Sequence, residues 1–240
     1  MKILMKGLNE ELNVKRCLSN FHDEPWVDEV IVIDGGSNDY TVEELKEFSK
    51  TKVYVHPWLD WYHDMEISQS NIALSYIPYG DICFIVDFDE RLTPELKDEL
   101  AEINKTGMPG DVDKCDVPRR TFELMRYDDS PHAMLEDDGW PIVSHQIGQY
   151  PDPQCRLIRR IQGMHWRNSP HHILFGHRTE GRLQSDILHY EKDDYRSRLR
   201  IERKWARAQA RRKELGLSAD VFDGSVRPEV HKYTDPNVWK

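Results

Sequence analysis

The chain has 240 residues, of which 32% are charged and 10% are aromatic, and its formal net charge is −10. This length suits one large domain or one domain with a modest appendage, and the aromatic content argues against a disordered chain. The negative charge argues against broad nucleic-acid binding, and no apolar run approaches the roughly 20 residues of a transmembrane helix.

The first 105 residues alternate strand and helix patterns. Short apolar runs predict strands at 2–5, 30–33, 53–55 and 82–86. Helices are predicted at 10–20, from 41 to about 50, at 68–76 and from 94 to about 103, with Asn9, Thr41 and Thr93 as capping residues. This alternation predicts a parallel sheet with right-handed crossovers.

The second half of the chain is less regular. Strands are predicted at 115–122, 155–160 and 187–189, and the polar stretch 127–150 is predicted to form a long excursion or lid. Residues 195–215 have the pattern of a long helix. We therefore predict a domain at 1–192, with halves 1–105 and 106–192, followed by a basic helix and tail at 193–240.

Polar side chains follow three of the predicted strands where each strand ends. Asn9 follows the first strand, Asp34 the second, and the pair Asp87 and Asp89 the fourth. Ligands of parallel α/β sheets bind outside the carboxyl ends of the strands. We therefore expect these side chains to line one crevice.

The sequence Asp87-Phe88-Asp89-Glu90 directly follows a buried strand. Two carboxylates at positions i and i+2 of a turn can share one hard divalent cation, and Mg²⁺ or Mn²⁺ bound there leaves room for phosphate oxygens. Such a cation would neutralise a diphosphate leaving group. The alternative interpretation is an acidic surface turn that caps the next helix.

The stretch 34–41, DGGSNDYT, also follows a buried strand. Its glycines allow a tight turn and close approach of a ligand, and Asp34 can accept a hydrogen bond from an N–H on a base edge. The alternative is an ordinary strand-to-helix turn with Asp39 as the cap. The stretch matches neither GxGxxG nor GxxxxGK[ST], so neither a dinucleotide fold nor a P-loop is indicated.

In order and spacing, four segments resemble the family 2 glycosyltransferases, which have the GT-A fold: 8–11 (LNEE), 32–41 (VIDGGSNDYT), 69–74 (QSNIAL) and 85–90 (IVDFDE). Segments 150–160 (YPDPQCRLIRR) and 187–190 (ILHY) resemble a subgroup that acts on bacterial surface glycans. The resemblance, over about residues 1–215, implies an α/β, GT-A-like fold. Its mixed, mainly parallel sheet would be flanked by helices and followed by a C-terminal helical extension. Residues 1–192 would be the catalytic domain, with a nucleotide-binding half and an acceptor-side half.

The resemblance also implies roles for individual residues. Nucleotide-sugar binding falls to Asn9, Glu11, Asp34, Gly36, Asn71, Asp87 and Phe88, with Asp34 on the base. The metal, Mn²⁺ or Mg²⁺, would be bound by Asp87, Asp89 and His189. A UDP-sugar is the expected donor. Ser70 stands where the family often has Arg, so one phosphate-facing cation is missing.

Sugar transfer to a hydroxyl needs a base, because the attacking oxygen must lose its proton. Asp152 is the first candidate, and Asp138 and Glu180 are the alternatives. The resemblance implies inversion at the anomeric carbon. Arg156 is a candidate phosphate clamp or a solvated strand residue, and His171 is a candidate for the acceptor or phosphate site because the subgroup has a His there.

The sequence thus predicts a metal-dependent glycosyltransferase that acts on a glycan or lipid-linked acceptor. The alternatives are a transferase that modifies DNA and a catalytically inactive glycan- or nucleotide-binding domain. A nucleotidyltransferase is disfavoured because the first loop is acidic, with Glu10 and Glu11. The predicted helix at 196–213, rich in Arg and Lys, could contact an anionic surface or nucleic acid.

The expected location is the cytoplasm. The amino-terminal residues lack the apolar core of a secretory signal, and the four cysteines form no CxxC pair, which argues against a zinc ribbon or redox dithiol. Without an export signal, reduced thiols are expected. If the basic helix contacts lipid, the protein would be peripheral to the inner membrane face.

Overall fold

The computed structural model describes residues 1–58, 65–126, 133–167 and 173–190. Within these ranges the strands are β1 Lys2–Gly7, β2 Glu29–Asp34, β3 Thr51–Val55, β4 Ile82–Ile85, β5 Glu90–Leu92, β6 Val112–Leu124, β7 Val143–Arg159, β8 His165–Arg167, β9 Ile173–Phe175, β10 Thr179–Arg182 and β11 Ile187–Tyr190. The helices are α1 Glu11–Ser19, α2 Thr41–Lys46, α3 Met65–Ser75 and α4 Pro94–Thr106. None of these helices is long and apolar enough to cross a membrane.

One large sheet organises the described residues, in the order β3-β2-β1-β4-β7-β6-β11-β5, with β10 beside the start of β6. The strands from β3 to β4 in that order pair in parallel, whereas β7 is antiparallel to both of its neighbours. Strands β8 and β9 form a separate antiparallel pair. The predicted mixed, mainly parallel sheet flanked by helices is confirmed.

Two apolar layers cover the two faces of the sheet. Strand residues with alternating side-chain directions divide between them, since successive side chains of a strand point to opposite faces. The first layer contains α1, α2 and α4 packed on one set of strand residues, and the second contains α3 and the β8–β9 pair packed on the other. Both layers leave the carboxyl ends of β1, β2 and β4 at one edge of the sheet.

The polar loop residues differ from their predicted capping roles. Asn9 does not cap α1: its φ is 58°, and its side-chain oxygen accepts a hydrogen bond from the Asn38 N–H at 2.9 Å. Thr41 is the first residue of α2, and the Asp39 carboxylate accepts a hydrogen bond from its N–H at 3.0 Å. Both predictions were wrong. The Asn9 side chain joins the loop after β1 to the loop after β2, and the side-chain contact at the start of α2 comes from Asp39 rather than from Thr41.

The cap of α4 is confirmed. Thr93 has extended backbone geometry, its hydroxyl accepts a hydrogen bond from the Leu96 N–H at 3.2 Å, and Pro94 occupies the first helical position. Here the capping residue and its target lie within one turn of the chain. A local signal was therefore sufficient for this helix.

The prediction of a lid over 127–150 was wrong in its second part. Residues 143–150 belong to β7, which pairs with β6 as far as Leu124 and Val143. The polar sequence of this part of β7 suits a strand with a solvent-exposed face, so composition alone did not distinguish it from a loop. The predicted helix at 195–215, its basic portion 196–213, the tail and His171 lie outside the described residues.

Candidate active site

The loops after β1 and β2 are hydrogen-bonded to each other at the carboxyl edge of the sheet. The Asn9 N–H donates to the Ser37 hydroxyl at 2.8 Å, and the Asn9 side-chain oxygen accepts a hydrogen bond from the N–H of the next residue, Asn38. The Glu11 carboxylate accepts a hydrogen bond from the Tyr40 N–H at 3.1 Å. The structure therefore brings the predicted residues Asn9 and Glu11 into one wall with the turn that contains Asp34 and Gly36.

Asp34 is buried at the end of β2 and braces that turn. One carboxylate oxygen accepts hydrogen bonds from the N–H groups of Gly36, at 2.9 Å, and Ser37, at 3.0 Å, and the other accepts from the Ser37 hydroxyl. Gly36 has φ +87°, a conformation that favours glycine. Because a carboxylate offers about four acceptor positions, these contacts leave Asp34 capacity for another donor.

The turn Asp87–Glu90 is closed by two reciprocal hydrogen bonds. The Glu90 N–H donates to the Asp87 carbonyl, and the Asp87 N–H donates to the Glu90 carboxylate, both at 3.0 Å. The Cys17 thiol of α1 lies 3.7 Å and 3.6 Å from the carbonyl oxygens of Asp87 and Glu90. The turn that carries the predicted metal ligands is therefore held by its own chain and by α1.

Arg156 on β7 contacts both carboxylates of this turn. One of its terminal nitrogens donates to Asp87 at 2.6 Å and also to Glu90. Burial alone would raise the pKa of Asp87, but Arg156 and Lys6 outweigh it and lower that pKa to about 2. Burial raises the pKa of Glu90, with Arg156 opposing. Arg156 is itself 8% exposed, so its guanidinium serves the turn rather than an open phosphate-binding surface.

Asp89 and His189 meet across the pairing of β5 with β11. The His189 Nε2 lies 3.7 Å from the Asp89 carboxylate, and the Tyr190 N–H donates to the Asp89 carbonyl at 2.9 Å. The other ring nitrogen of His189 lies 3.3 Å from the Thr121 hydroxyl. Two predicted metal ligands from distant parts of the sequence are therefore neighbours in space.

Asp87 and Asp89 offer the carboxylate oxygens that a hard divalent cation prefers. Among the residues the structure describes, no group of three His, Cys, Asp or Glu side chains is placed to hold a metal ion. Mg²⁺ is commonly bound by one or two carboxylates and completes its shell with phosphate and water. Asp87 and Asp89 supply such carboxylates on one short turn, with His189 beside Asp89.

Two of the three candidate bases lie near this turn and are already paired. Asp152 accepts two hydrogen bonds from Arg119, at 3.0 and 2.6 Å, and one from Gln154 at 2.9 Å. Asp138 accepts from Arg91 at 2.8 Å, and Arg91 directly follows Glu90 in the chain. The Asp138 side chain is 47% exposed, so its ion pair with Arg91 is in contact with solvent.

The third candidate base, Glu180, lies at the opposite edge of the sheet. It pairs with Lys114 at 2.8 Å. Ile158 of β7 pairs with Lys114 of β6 on one side and with Cys83 of β4 on the other. Cys83 is near the amino end of β4. Because the Asp87 turn follows the carboxyl end of β4, the structure does not bring Glu180 to it.

Asn71 and Phe88 have structural contacts. The Asn71 amide forms two hydrogen bonds with the backbone of Trp166, at 3.1 and 2.7 Å, which join α3 to β8. Phe88 is buried and lies against Gly7 of β1. Nucleotide contact by either side chain stays a prediction.

Sequence reasoning assigned no role to Glu90 and missed strand β5. Glu90 is fully buried, between the Asp87 N–H and the Arg156 guanidinium. Its place in the run DFDE was a signal, since three acidic residues within four positions after a buried strand need a cationic partner. The partner lies 66 residues away, so its identity could not be read locally.

Comparisons with known proteins point to one family. A model described as glycosyl transferase family 2 matches residues 3–127, more than half of the chain. An uncharacterized glycosyltransferase of Rickettsia felis is 35% identical over 95 residues, which cover 40% of this chain and 30% of the relative. The chain thus spans under a third of the length of that curated relative.

Solved structures give partial matches. The S. aureus TarS 1–349 structure in complex with UDP is 22% identical, with a TM-score of 0.37, and the match covers 57% of this chain and 39% of that one. The mannosyltransferase PcManGT from Pyrobaculum calidifontis, in complex with GDP-Man and Mn²⁺, is 19% identical, with a TM-score of 0.40, and the match covers 50% and 35%. The family model and the segments at the sheet edge agree, and the chain belongs to glycosyl transferase family 2.

Proposed function

We propose that this chain transfers a sugar from a nucleotide-sugar donor to a hydroxyl of an acceptor, at the carboxyl edge of β1, β2 and β4. The observation that carries the proposal is the meeting of three loops at that edge. They hold Asn9, the Asp34 turn, and the Asp87–Glu90 turn. The family membership supplies the reaction class.

The Asp34 turn is the proposed base-binding element. Its carboxylate is buried and oriented by the Gly36 and Ser37 N–H groups, yet it retains capacity for one more donor. The N3–H on the edge of uracil is a donor of the required kind, and we propose a UDP-sugar as the donor. The φ of Gly36, +87°, favours a residue without a side chain at this point of the turn.

The proposed diphosphate site is the Asp87–Glu90 turn with His189. Asp87, Asp89 and His189 would hold Mn²⁺ or Mg²⁺, which would offset the negative charge of the departing nucleoside diphosphate. The remaining task of the chain is orientation. The reciprocal hydrogen bonds of the turn, and the Tyr190 N–H that donates to the Asp89 carbonyl, fix the backbone that carries the two carboxylates.

For the base we propose Asp138, with Asp152 as the second candidate. One oxygen of Asp138 accepts a hydrogen bond from the Trp140 N–H at 3.1 Å, and the other is released for proton transfer by breaking the solvent-exposed ion pair with Arg91, which costs about 0–1 kcal/mol. Asp152 would have to break two hydrogen bonds from Arg119 to free its Oδ2, and its Oδ1 accepts a hydrogen bond from Gln154. A base that removes the acceptor proton while the diphosphate leaves from the opposite face would give the inversion that we propose.

We propose a glycan or a lipid-linked precursor as the acceptor. This follows from the resemblance of the segment 150–160 to the subgroup that acts on bacterial surface glycans. The basic stretch 196–213 would then contact an anionic membrane surface. Such a contact would place the protein in the cytoplasm beside the inner membrane face. Modified DNA as acceptor, and a binding domain without turnover, are the competing proposals.

Thermal unfolding with UDP, GDP, CDP and their sugars, with and without Mn²⁺, tests the donor site. A ligand at about 100 times its dissociation constant adds roughly 2.7 kcal/mol, which for a chain of this size means a rise in Tm of about 5–10 °C. We expect a Mn²⁺-dependent rise with UDP compounds. The matched variant Asp89→Asn should lose the Mn²⁺-dependent part.

Transfer itself is tested by the release of UDP from the UDP-sugar that gives the largest rise. UDP release that needs a glycan acceptor and does not change with salt concentration supports the proposed function. UDP release that needs DNA and weakens steeply as the salt concentration rises supports the DNA proposal. Binding without release supports the inactive domain. If no nucleotide raises the Tm at millimolar concentration, the donor site is refuted.

A further inference from the structure

We propose that Arg156 is a positioning residue, which orients the Asp87 carboxylate for the cation and diphosphate through a β-bulge in β7. The inference rests on the proposed function and deepens it. Sequence reasoning placed Arg156 on phosphate or in solvent, and the structure gives it a different partner. Three observations carry the proposal: the bulge, the shared hydrogen bonds and the distribution of charge.

The bulge lies at Arg156 itself. Cys115 of β6 pairs with Leu157, but the next residue, Asp116, pairs with Cys155 rather than with Arg156. Arg156 is thus the extra residue on β7. A bulge redirects the side chain of the extra residue, and bulges are common beside active sites. Without the bulge, the direction of the Arg156 side chain would follow from the regular alternation of side chains along β7.

The redirected guanidinium ties the two ends of the turn together. Its Nη2 donates to Oδ2 of Asp87 at 2.6 Å and to Oε1 of Glu90, while the other Glu90 oxygen accepts the Asp87 N–H. Asp87 is therefore held from its side chain and from its backbone. The Asp87 side chain is 33% exposed, so its carboxylate is fixed and still reachable.

The positive charge of Arg156 argues against a purely electrostatic role for this residue in cation binding. Arg156 places a positive charge against a carboxylate that would bind a cation, and this by itself weakens cation binding. Orientation has the opposite effect, because a carboxylate that is already fixed loses less freedom when the cation binds. The sign of the change on removing Arg156 therefore separates the two roles.

The experiment compares Glu90→Gln with the double variant Glu90→Gln/Arg156→Gln. Arg156→Gln alone would leave the buried Glu90 carboxylate unpaired and could fail to fold. With Glu90 neutral in both proteins, the comparison isolates Arg156. The readouts are Mn²⁺ affinity in the presence of UDP, from the electron paramagnetic resonance signal of free Mn²⁺, and UDP affinity without metal. Near-UV circular dichroism checks the fold.

We expect the double variant to bind Mn²⁺ about 10- to 100-fold more weakly than Glu90→Gln, the usual effect of losing a residue that orients a metal ligand. Its UDP affinity without metal should match that of Glu90→Gln, because the Asp34 turn is untouched. Equal or tighter Mn²⁺ binding by the double variant would overturn the positioning role. A loss of metal-free UDP affinity as large as the loss of Mn²⁺ affinity would also overturn it, because such a loss would indicate general damage.

Arg178→Gln is the matched control. It removes the two-nitrogen partner of another buried carboxylate, Asp113, away from the Asp87 turn. We expect reduced stability with unchanged Mn²⁺ affinity, and a fall in Mn²⁺ affinity would count against the specificity of Arg156. If the unaltered protein binds UDP but no Mn²⁺, the proposed metal site and this inference both fail. If it binds Mn²⁺ and the variants do not differ, only the inference fails.

Discussion

The ring of Phe88 lies so close to Gly7 that a Cβ built on Gly7 would be 2.7 Å from it. The same Cβ would be 2.9 Å from the side chain of Glu10. Gly7 ends β1, and Phe88 lies between the two aspartates of the proposed metal site. A residue without a side chain at the end of β1 therefore allows the Asp87–Glu90 turn to sit directly against that strand.

We predict that Gly7→Ala destabilises the protein by about 1–3 kcal/mol, the usual cost of overpacking. The methyl group must displace the Phe88 ring, and with it Asp87 and Asp89, so the Mn²⁺-dependent affinity for UDP should fall as well. Urea unfolding and titration calorimetry measure the two effects. The double variant Gly7→Ala/Phe88→Leu should recover part of the stability, because Leu lacks the Cε atom that comes closest to the added methyl group. Unchanged stability in Gly7→Ala would contradict the contact.

Asn71 provides a test that separates a structural from a binding role. Its two hydrogen bonds to the Trp166 backbone predict that Asn71→Ala lowers the free energy of unfolding by about 1–3 kcal/mol, since the Trp166 N–H and C=O each lose the hydrogen bond to Asn71. UDP affinity should be unchanged, provided the variant is folded at the assay temperature. A variant of normal stability with weakened UDP binding would instead support the nucleotide contact implied by the family resemblance.

The choice of base predicts different kinetics for two conservative variants. We expect Asp138→Asn to lower kcat by about 10²- to 10⁴-fold with little change in KM for the donor, as for loss of a general base. Asp152→Asn should keep more activity and mainly lose stability, because it leaves Arg119 without a carboxylate partner. UDP release under saturating donor measures kcat. The reverse ranking of kcat would assign the base to Asp152.

The pH dependence of stability is predicted at Asp113, away from the proposed site. Hydrogen bonds from Arg178 outweigh burial and lower the pKa of Asp113 below its usual 3.8. The unfolded chain therefore binds a proton that the folded protein does not. The stabilisation is present above about pH 4 and is lost as the pH falls through the folded pKa. Urea unfolding between pH 5 and pH 2.5 should show this loss.

Other carboxylates also lose stabilisation in acid, so the test is a comparison. Asp113→Asn should be less stable than the unaltered protein at pH 5, and the difference should shrink as the pH falls. Asp98→Asn, on α4 and outside the ion pairs that the described residues form with one another, serves as the control for the loss of one carboxylate. A constant difference for Asp113→Asn would show that its charge does not contribute.

Apart from β5, the order of strands and helices in the first half was predictable because its signals are local. Each buried strand is a short apolar run, and Thr93 with Pro94 caps α4 within one turn. The polar residues at the strand ends, Asp34 and Asp87, were found for the same reason. In a parallel sheet, the carboxyl ends of neighbouring strands must meet at one edge.

The sequence by itself determined the parallel half of the sheet, its binding edge and the residue types offered there. The partners of those residues were decided by the tertiary structure. Arg156 reaches Asp87 only because β7 runs antiparallel beside β4 and carries a bulge. His189 reaches Asp89 only because β11 pairs with β5. These contacts span 69 and 100 residues of chain, and no local pattern records which strands will become neighbours.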